Sequence, residues 1–253
     1  METISYSYGK IPILLCCAHD GKLEVPVPQR KNPESVIKND MYTSKICEDI
    51  IKNISTKLGY EPYYIYNNIH RKYIDLNRKC MIGTEHTITK QHWKKFHNTL
   101  ENMIKHCLLI HNHCLLLDFH GNSKTHNLIQ FGYGISDEDI GTYKDYYKST
   151  FVYLNKFYTN NSLIYNNRSL SSFFKNTPVF PRLNTNLTHY KKIYYNGGYI
   201  IRHYSKKYNI DSIQIELSKN LRKNISIDLI EELSNAIILF YFTNYYPLIF
   251  KKF

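Results

Sequence analysis

Two histidines and one glutamate follow or end apolar runs that are typical of buried strands. His19 comes directly after the run 13–18, His120 comes directly after the run 115–119, and Glu216 lies near the end of a third run. The carboxyl ends of parallel strands meet at one edge of an open α/β sheet, so these side chains could share one crevice. Two histidines and a carboxylate form a ligand set of catalytic zinc, which keeps one position open for water.

The third ligand of such a site would be a carboxylate that follows His19 in the sequence. Asp20, Glu24 and Asp40 are the candidates, and the residues alone do not choose between them. A further carboxylate beside the metal would serve as general base toward the water. Spacing gives this hypothesis limited weight, because the chain has 12 histidines. Structural histidines in strand-end turns are the alternative interpretation.

The segment 70–78, with the sequence HRKYIDLNR, is the second group that could bind a substrate. A guanidinium binds a carboxylate through two parallel N–H bonds. Arg71 and Arg78, with Asn77 between them, could therefore form a carboxylate-binding pocket. A solvated charged loop and a phosphate-binding patch are the two alternatives that the residues leave open.

Strand and helix patterns alternate along the chain and would position these groups. Apolar and β-branched runs predict strands over residues 11–17, 62–69, 114–119, 128–132 and 212–217. Helical spacing predicts helices over residues 40–58, 91–106 and 226–242, and others beginning near 137 and 199. Asp40 is the predicted N-cap of the first helix, and Gly59 is its predicted stop. Several strands are apolar on both faces, which indicates an α/β fold with a mixed, mostly parallel sheet covered by helices.

Length and composition indicate a globular protein. The chain has 253 residues, of which 43% are hydrophobic and 21% are charged, so a disordered or fibrous protein is excluded. We expect one catalytic domain over residues 1–253, with an irregular insertion around 160–196. The 33 Lys and Arg against 21 Asp and Glu give a formal charge of +12, part of which we attribute to the codon bias of an A/T-rich genome. The basic residues are dispersed and show no aromatic-interleaved RNA motif, which argues against a nucleic-acid partner.

The chain start, the hydrophobic C-terminal stretch and the cysteines bear on the compartment. Residues 1–3 lack the basic region of a secretory signal. The stretch 236–250 contains Thr, Asn and Pro and falls short of the roughly 18 apolar residues of a membrane span, so we expect a core helix leading into a strand or tail. The six cysteines form no CxxC pair, as expected of reduced, buried thiols. We therefore predict an intracellular, cytoplasmic protein without membrane contact.

Six motifs together resemble a known family of hydrolases. In order they are His19-Asp20-Gly21 followed by Pro26, Asp40-x-x-Thr43, Asp75-Leu76-Asn77-Arg78, Leu117-Asp118-Phe119-His120-Gly121, Gly197-Gly198-Tyr199 and Gln214-Ile215-Glu216-Leu217. This set resembles the N-formylglutamate amidohydrolase family, which is related to the zinc carboxypeptidases and to the succinylglutamate desuccinylase and aspartoacylase group. The resemblance covers residues 10–222 and leaves the stretch 160–196 unmatched.

The resemblance implies a fold and a metal. The fold would be a three-layer α/β/α structure of the zinc-carboxypeptidase-like, phosphorylase/hydrolase-like type, with a single Zn²⁺ ion. His19 matches the first histidine ligand and His120 matches the last. Asp40, at the start of a helix and three residues before a threonine, is favoured as the middle ligand. Glu24 is the alternative, because it lies closer to His19 in the sequence.

The resemblance also implies roles for other polar residues. Glu216 matches the catalytic carboxylate that acts as general base and then hands the proton to the leaving amine. Asn77 and Arg78 match the pair that grips a substrate carboxylate. Arg71 matches the arginine that binds and polarises the scissile carbonyl.

Two aspartates are interpreted separately. Asp20 stands where family members commonly carry Gly or Ser, and this extra carboxylate could compete for the metal or tune its water. Asp118 is expected on the strand face opposite His120, as a buried structural hydrogen-bond acceptor.

The predicted function is zinc-dependent hydrolysis of the amide bond of a small N-acyl amino acid similar to N-formylglutamate. The first alternative is a metallocarboxypeptidase-like removal of a C-terminal residue from a peptide or protein, since this reaction would use the same residues. The second alternative is a non-catalytic, basic nucleic-acid-binding protein. The acyl group, the leaving amino acid and the oligomeric state stay open.

Overall fold

A seven-stranded mixed sheet forms the centre of the computed structural model, which describes residues 2–32, 35–136, 139, 147–181 and 195–250. In chain order the strands are β1 (Ile4–Ser7), β2 (Ile11–Cys17), β3 (Pro62–Asn67), β4 (Leu115–Gly121), β5 (Ile129–Gly132), β6 (Val179–Phe180) and β7 (Asp211–Leu217). Their order in the sheet is β1-β3-β2-β4-β7-β5-β6. The neighbours β3, β2, β4 and β7 are parallel, whereas β1 is antiparallel to β3 and β5 is antiparallel to β7. The predicted mixed, mostly parallel sheet is confirmed.

Helices cover both faces of this sheet. The described α-helices are α1 (Thr43–Leu58), α2 (Cys80–Gly83), α3 (Thr87–His111), α4 (Asn160–Ile164), α5 (Tyr199–Tyr208), α6 (Lys219–Lys223), α7 (Ile227–Asn244) and α8 (Tyr246–Phe250). Residues of α1 and α7 belong to the apolar core on one face, and residues of α3 and α5 belong to the core on the other. The three expected α/β/α layers are therefore present.

The central strands are buried on both faces because each carries consecutive apolar side chains. In β2, Ile13 and Leu15 join the core under α1 and α7, whereas Leu14 and Cys16 join the core under α3 and α5. Adjacent residues of a strand point to opposite faces, so one continuous apolar run fills both cores. This packing holds the strand ends in fixed relative positions.

Strand register brings the polar ends of three neighbouring strands together. His120 of β4 is the Cα partner of Glu216 of β7, and Asp118 is the partner of Gln214. On the other side of β4 lies β2, which ends two residues before His19. The three side chains identified from their positions after apolar runs therefore lie at one edge of the sheet.

Most predicted elements are present, with different ends. The helix predicted over 91–106 extends from Thr87 to His111, and the helix predicted from 199 spans ten residues. The stretch 236–250 does not lead into a strand, because it continues from α7 into the helix α8. None of the described helices combines the length and the apolarity that a membrane crossing requires.

The irregular region 160–196 contains short elements of its own. Residues 160–181 hold α4, a 3-10 turn at Leu170–Phe173 and the two-residue strand β6. Residues 182–194 lie outside the described residues, as does most of the helix predicted from 137. The edge strand β1 and the short helix α2 have no counterpart among the predicted elements.

The start of α1 differs from the prediction. Tyr42, with a φ of 72°, is the N-cap residue, and Asp40 is not. The carboxylate of Asp40 instead contacts Arg71 and His120, so it is unavailable to the helix end. Gly59 ends the helix with a φ of 74°, as predicted for a glycine stop.

A buried carboxyl group joins the first residue of β7 to two other segments. Asp211 is fully buried and accepts hydrogen bonds from the backbone N–H groups of Tyr153 and Leu154 and from the Tyr245 hydroxyl. Burial away from water raises the pKa of Asp211 to about 7. The group therefore connects the sheet to the 3-10 turn Leu154–Lys156 and to the end of α7.

The raised pKa of Asp211 predicts a pH-dependent stability. An unfolded aspartate titrates near about 3.9, so the folded chain binds the proton more tightly than the unfolded chain. The free energy of unfolding should fall as the pH rises from about 4 through about 7, by at most about 1.4 kcal/mol per pH unit. Urea unfolding at about pH 5 and about pH 8 measures this fall in the free energy of unfolding. Asp211→Asn should remove the part of the fall that is due to Asp211. The exposed control Glu61→Gln should keep it, and an unchanged pH dependence in Asp211→Asn would contradict the assignment.

Candidate metal centre

Three buried side chains from separate parts of the chain meet at the carboxyl edge of the sheet. They are His19 after β2, Asp40 before α1 and His120 in β4, and one ligand atom of each lies within 4.8 Å of the others. The two Nδ1 atoms are 3.1 Å apart. Asp40 Oδ2 lies 3.4 Å from His19 Nδ1 and 3.2 Å from His120 Nδ1. The fold thus brings together the three residues favoured from the sequence as metal ligands.

The outer nitrogens of both histidines face carboxylates. His19 Nε2 lies 2.7 Å from Asp75 Oδ1, and His120 Nε2 lies 2.8 Å from Asp118 Oδ2. A carboxylate accepts hydrogen bonds, so each Nε2 carries a proton and donates it. Both Nδ1 atoms then present lone pairs to each other and to Asp40. Carboxylates orient metal-binding histidines in this way.

Three acceptor atoms at such distances require a cation among them. Burial disfavours a charged His120, but the carboxylates of Asp118 and Asp40 outweigh burial and raise the pKa of His120 well above its usual value. Burial also disfavours a charged Asp40, yet its contacts with the rings of His120 and His19 and with Arg71 hold the pKa of Asp40 well below its usual range. The cluster therefore attracts either a proton or a divalent metal, and imidazole and carboxylate donors suit zinc.

Arg71 holds two carboxylates of this region. Its Nη1 donates to Asp40 Oδ1 at 3.0 Å, and its Nη2 donates to Asp75 Oδ2 at 3.2 Å. The side chain is 12% exposed and lines a cavity. Arg71 thereby fixes both carboxylates that contact His19, and its expected contact with a substrate carbonyl stays a prediction.

Glu216 lies beside the cluster because it is the cross-strand partner of His120. Its Oε1 accepts a hydrogen bond from Gln214 Nε2 at 2.8 Å, and Gln214 Oε1 accepts one from the Gly198 N–H at 2.5 Å. Glu216 Oε2 is buried and has no hydrogen-bond partner among the described residues. Burial raises the pKa of Glu216, although the nearby His120 opposes the shift. One oxygen is therefore fixed, and the other is available to a reactant.

Asn77 and Arg78, the pair expected to bind a substrate carboxylate, have different surroundings. Asn77 is buried, with Nδ2 3.0 Å from His120 Nε2 and with Oδ1 accepting from the Ile200 N–H. Gly198 packs so closely on Asn77 that an added Cβ would lie 2.0 Å from Nδ2. Arg78 is exposed on the cavity wall, and its guanidinium makes no hydrogen bond or ion pair to the described residues. Arg78 is therefore the member of the pair that is free to bind a ligand.

Asp20 contacts the first turn of α1 and not the cluster. Its carboxylate accepts hydrogen bonds from Tyr42 N at 3.1 Å, from Ser44 N at 3.0 Å and from Ser44 Oγ at 2.5 Å. N–H groups at a helix start have no partner within the helix, so this carboxylate satisfies them. The structure thus gives Asp20 a task other than the expected competition for the metal.

Glu24, the alternative third ligand, lies outside the cluster. Its side chain is 61% exposed and pairs with Lys72 Nζ at 2.7 Å. It also accepts a hydrogen bond from the Tyr73 hydroxyl. Asp40 is therefore the carboxylate that the fold brings to the two histidines.

Asp118 does not lie on the face that we expected. It precedes His120 by two residues in β4, so both side chains share one face of the sheet. The hydrogen bond between Asp118 Oδ2 and His120 Nε2 shows this directly. The expectation of the opposite face is wrong, whereas the expectation of a buried hydrogen-bond acceptor agrees with the structure.

Asp75 and Gln214 are site residues for which the sequence analysis predicts no role. Gln214 is two residues from Glu216 in a predicted strand, and this spacing places both on one face. Strand periodicity was therefore a signal for Gln214. Asp75 lies in a loop, where no periodicity relates it to His19.

A cavity of about 770 Å³ opens over the cluster. Among the described residues, the acidic ones in its wall are Asp40, Asp75 and Glu216, all in or next to the cluster. The cationic residues of its wall are Lys38, Arg71, Arg78, Lys219, Arg222 and Lys223. The volume suits a small molecule or the end of a peptide, and the charge suits an anionic one.

Solved structures of other proteins share this fold. An N-formylglutamate amidohydrolase from Ralstonia eutropha JMP134 aligns with a TM-score of 0.54 at 11% identity, over 95% of this chain and 96% of that chain. A gene product of Agrobacterium tumefaciens aligns with a TM-score of 0.52 at 12% identity, over 95% and 92%. No protein-family model and no curated protein matches the sequence. At these identities the likeness shows the fold, and the expected resemblance to N-formylglutamate amidohydrolases is confirmed at that level.

The contacts of Asp20 predict that its loss affects stability and not metal binding. Asp20→Ala should lower the free energy of unfolding by about 1 kcal/mol, because the N–H groups at the start of α1 lose their acceptor. Chemical denaturation and zinc content measure the two effects separately. Asp20→Asn, which can still accept these bonds, should retain most of the stability. A folded Asp20→Ala protein that no longer bound zinc would show instead that Asp20 is a ligand.

Proposed function

We propose that the protein is a metal-dependent amidohydrolase, with zinc as the metal and an N-acyl amino acid as the substrate. One observation carries this proposal: two histidine nitrogens and one aspartate oxygen converge beside Glu216, whose second oxygen has no partner among the described residues. Three protein ligands and an adjacent general base are the components of hydrolytic zinc sites. The fold shared with a solved N-formylglutamate amidohydrolase supports the same class of reaction.

The three clustered side chains would hold the metal, and their neighbours would orient them. A bound divalent metal supplies a Lewis acid that lowers the pKa of water and polarises a carbonyl oxygen. Asp75 and Asp118 accept the Nε2 protons of the histidines, which keeps both Nδ1 lone pairs directed inward. Arg71 binds Asp40 Oδ1 and so leaves Oδ2 directed at the cluster.

Glu216 would move the proton during the reaction. Its unpartnered Oε2 takes a proton from the attacking water and then delivers it to the leaving amine. The raised pKa of Glu216 suits both transfers, because a general base must also act as an acid within one turnover. Gln214 of β7 donates a hydrogen bond to the other oxygen, Oε1, and so fixes the direction in which Oε2 points.

Arg78 would bind the α-carboxylate of the leaving amino acid. It is exposed on the cavity wall, and a guanidinium can make two parallel hydrogen bonds to a carboxylate. Asn77 would position this end of the substrate next to the cluster, as the resemblance implies. Arg71 uses two of its five N–H groups on carboxylates, and a remaining one would stabilise the charge that develops on the carbonyl oxygen.

A carboxypeptidase-like reaction would use the same residues, so the substrate must distinguish the two. N-acyl amino acids and peptides with a free carboxyl end should be assayed in parallel at equal concentration. Cleavage of N-acyl amino acids supports the amidohydrolase. Cleavage of the peptides alone would favour the carboxypeptidase-like alternative.

The cluster predicts about one zinc per chain, the number expected of a single set of three protein ligands. Elemental analysis after zinc loading and desalting should find it in the wild-type protein and not in His120→Ala. His203→Ala, which changes a histidine outside the cluster, should keep the metal. Removal of zinc by a chelator should abolish hydrolysis, and added zinc should restore it. A wild-type protein that stays free of zinc after loading would contradict the proposal.

The geometry of Glu216 predicts a separation of catalysis from metal binding. Glu216→Gln should lower kcat by about 10²- to 10⁴-fold, the range for loss of a general base, while zinc content stays unchanged. Steady-state kinetics and elemental analysis on the same preparation test both parts. The exposed control Glu61→Gln should behave as wild type, whereas near-normal turnover in Glu216→Gln would assign the base elsewhere.

A further inference from the structure

The cavity wall carries positive charge that the proposed reaction does not use. Lys219, Arg222 and Lys223 lie together on the short helix α6, which follows β7 directly. Both lysines are exposed, and neither ammonium group makes a hydrogen bond or an ion pair with the described part of the chain. Lys219 and Lys223 are four residues apart, a spacing at which like charges repel on a helix. An anion bound between them would offset this repulsion.

Arg222 is the buried member of this group. Its Nε donates to Leu217 O at 3.1 Å, Nη1 donates to Met41 O at 2.5 Å and Nη2 donates to Asn122 O at 2.9 Å. A guanidinium has five N–H donors, so two remain after these contacts. Arg222 is 7% exposed and pairs with no carboxylate among the described residues. A buried cation that is held only by neutral oxygens favours a nearby anion.

Arg222 lies on one face of the sheet at its carboxyl edge. It packs on Gly121, where an added Cβ would lie 2.2 Å from Nε. Gly121 follows His120 in β4 and so points to the opposite face, which α1 and α7 cover. The contact with Met41, just before α1, places the guanidinium on that same side.

Arg78 lies on the other face. The backbone oxygen of Arg78 accepts a hydrogen bond from Trp93 Nε1 of α3. The adjacent Asn77 accepts one from the Ile200 N–H of α5. Because α3 and α5 cover the face opposite α1 and α7, Arg78 and Arg222 line the cavity from opposite faces of the sheet.

We propose that Lys219, Arg222 and Lys223 form a second anion subsite, which binds a carboxylate on the acyl part of the substrate. Arg78 holds the carboxylate of the leaving amino acid on the other side. The scissile amide then spans the cluster between two anionic ends. The preferred substrate is therefore an amide whose acyl group carries its own negative charge, such as a dicarboxylic acyl group, and not a formyl or aliphatic one. This inference rests on the proposed amidohydrolase function.

A matched substrate pair tests the subsite. N-glutaryl-glutamate and N-pentanoyl-glutamate share the leaving amino acid and an acyl chain of five carbons, and they differ in the distal carboxylate. The zinc-loaded wild-type protein should favour the glutaryl substrate in kcat/KM by about tenfold. Lys219→Gln/Lys223→Gln should reduce this preference to about threefold or less. The preference should also weaken as salt is raised, because exposed ion pairs are screened.

Matched controls separate the subsite from overall charge and from catalysis. Lys94→Gln/Lys95→Gln removes two exposed charges from α3, outside the cavity, and should leave the preference unchanged. Calorimetric binding of both compounds to zinc-loaded Glu216→Gln provides a readout without turnover. Preferred binding of the glutaryl compound, lost in Lys219→Gln/Lys223→Gln on the same background, supports the subsite even if neither compound is hydrolysed. Hydrolysis of both compounds with equal kcat/KM would overturn the subsite and leave the amidohydrolase intact.

Discussion

The convergence of three acceptor atoms is the constraint on which the structure around this site depends. Nδ1 of His19, Nδ1 of His120 and Oδ2 of Asp40 lie between 3.1 and 3.4 Å apart, and while both Nε2 atoms donate to carboxylates, only an added proton or a metal ion can bridge these three atoms. Such an arrangement is stable only around a positive charge. Much of the neighbouring structure serves to maintain it, because each ligand must be held against its repulsion of the other two.

The outer layer of contacts supplies this restraint from distant parts of the chain. Asp75 comes from the loop after β3, and Asp118 comes from β4 itself, two residues before the histidine that it orients. Arg71 connects Asp40 to Asp75 and so couples the ligand to the outer carboxylate of the first histidine. Asp20 fixes the start of α1, next to the segment that carries Asp40. The site is therefore one polar network on a rigid sheet edge.

Part of the excess of basic residues lies in the wall of the cavity. In the sequence alone, the formal charge of +12 can be explained equally well by codon bias or by the binding of an acidic ligand. Among the described residues, six cations line the wall of one cavity, while the three acidic residues of that wall are in or beside the candidate metal cluster. The remaining wall is therefore positive. This distribution favours an anionic ligand, as the two proposed carboxylate-binding groups require.

The α/β layers, the buried strands and the residues at the strand ends could be predicted from the sequence, because apolar periodicity and strand polarity are local properties. His19, His120 and Glu216 could be selected in this way, since they follow or end such strands. Local patterns left the third ligand open between three carboxylates, and the fold brings Asp40 to the two histidines. Asp40 and Asp20 are both near a helix start. Asp40 reaches the histidines, as the resemblance implied, but it does not cap α1 as predicted. Asp20 instead accepts hydrogen bonds from the N–H groups at that helix start. The position of Asp40 depends on how the loop before α1 folds over the sheet edge. The pairings of Asp75 with His19 and of Arg222 with three carbonyl groups also depend on long-range packing, which local sequence patterns do not predict.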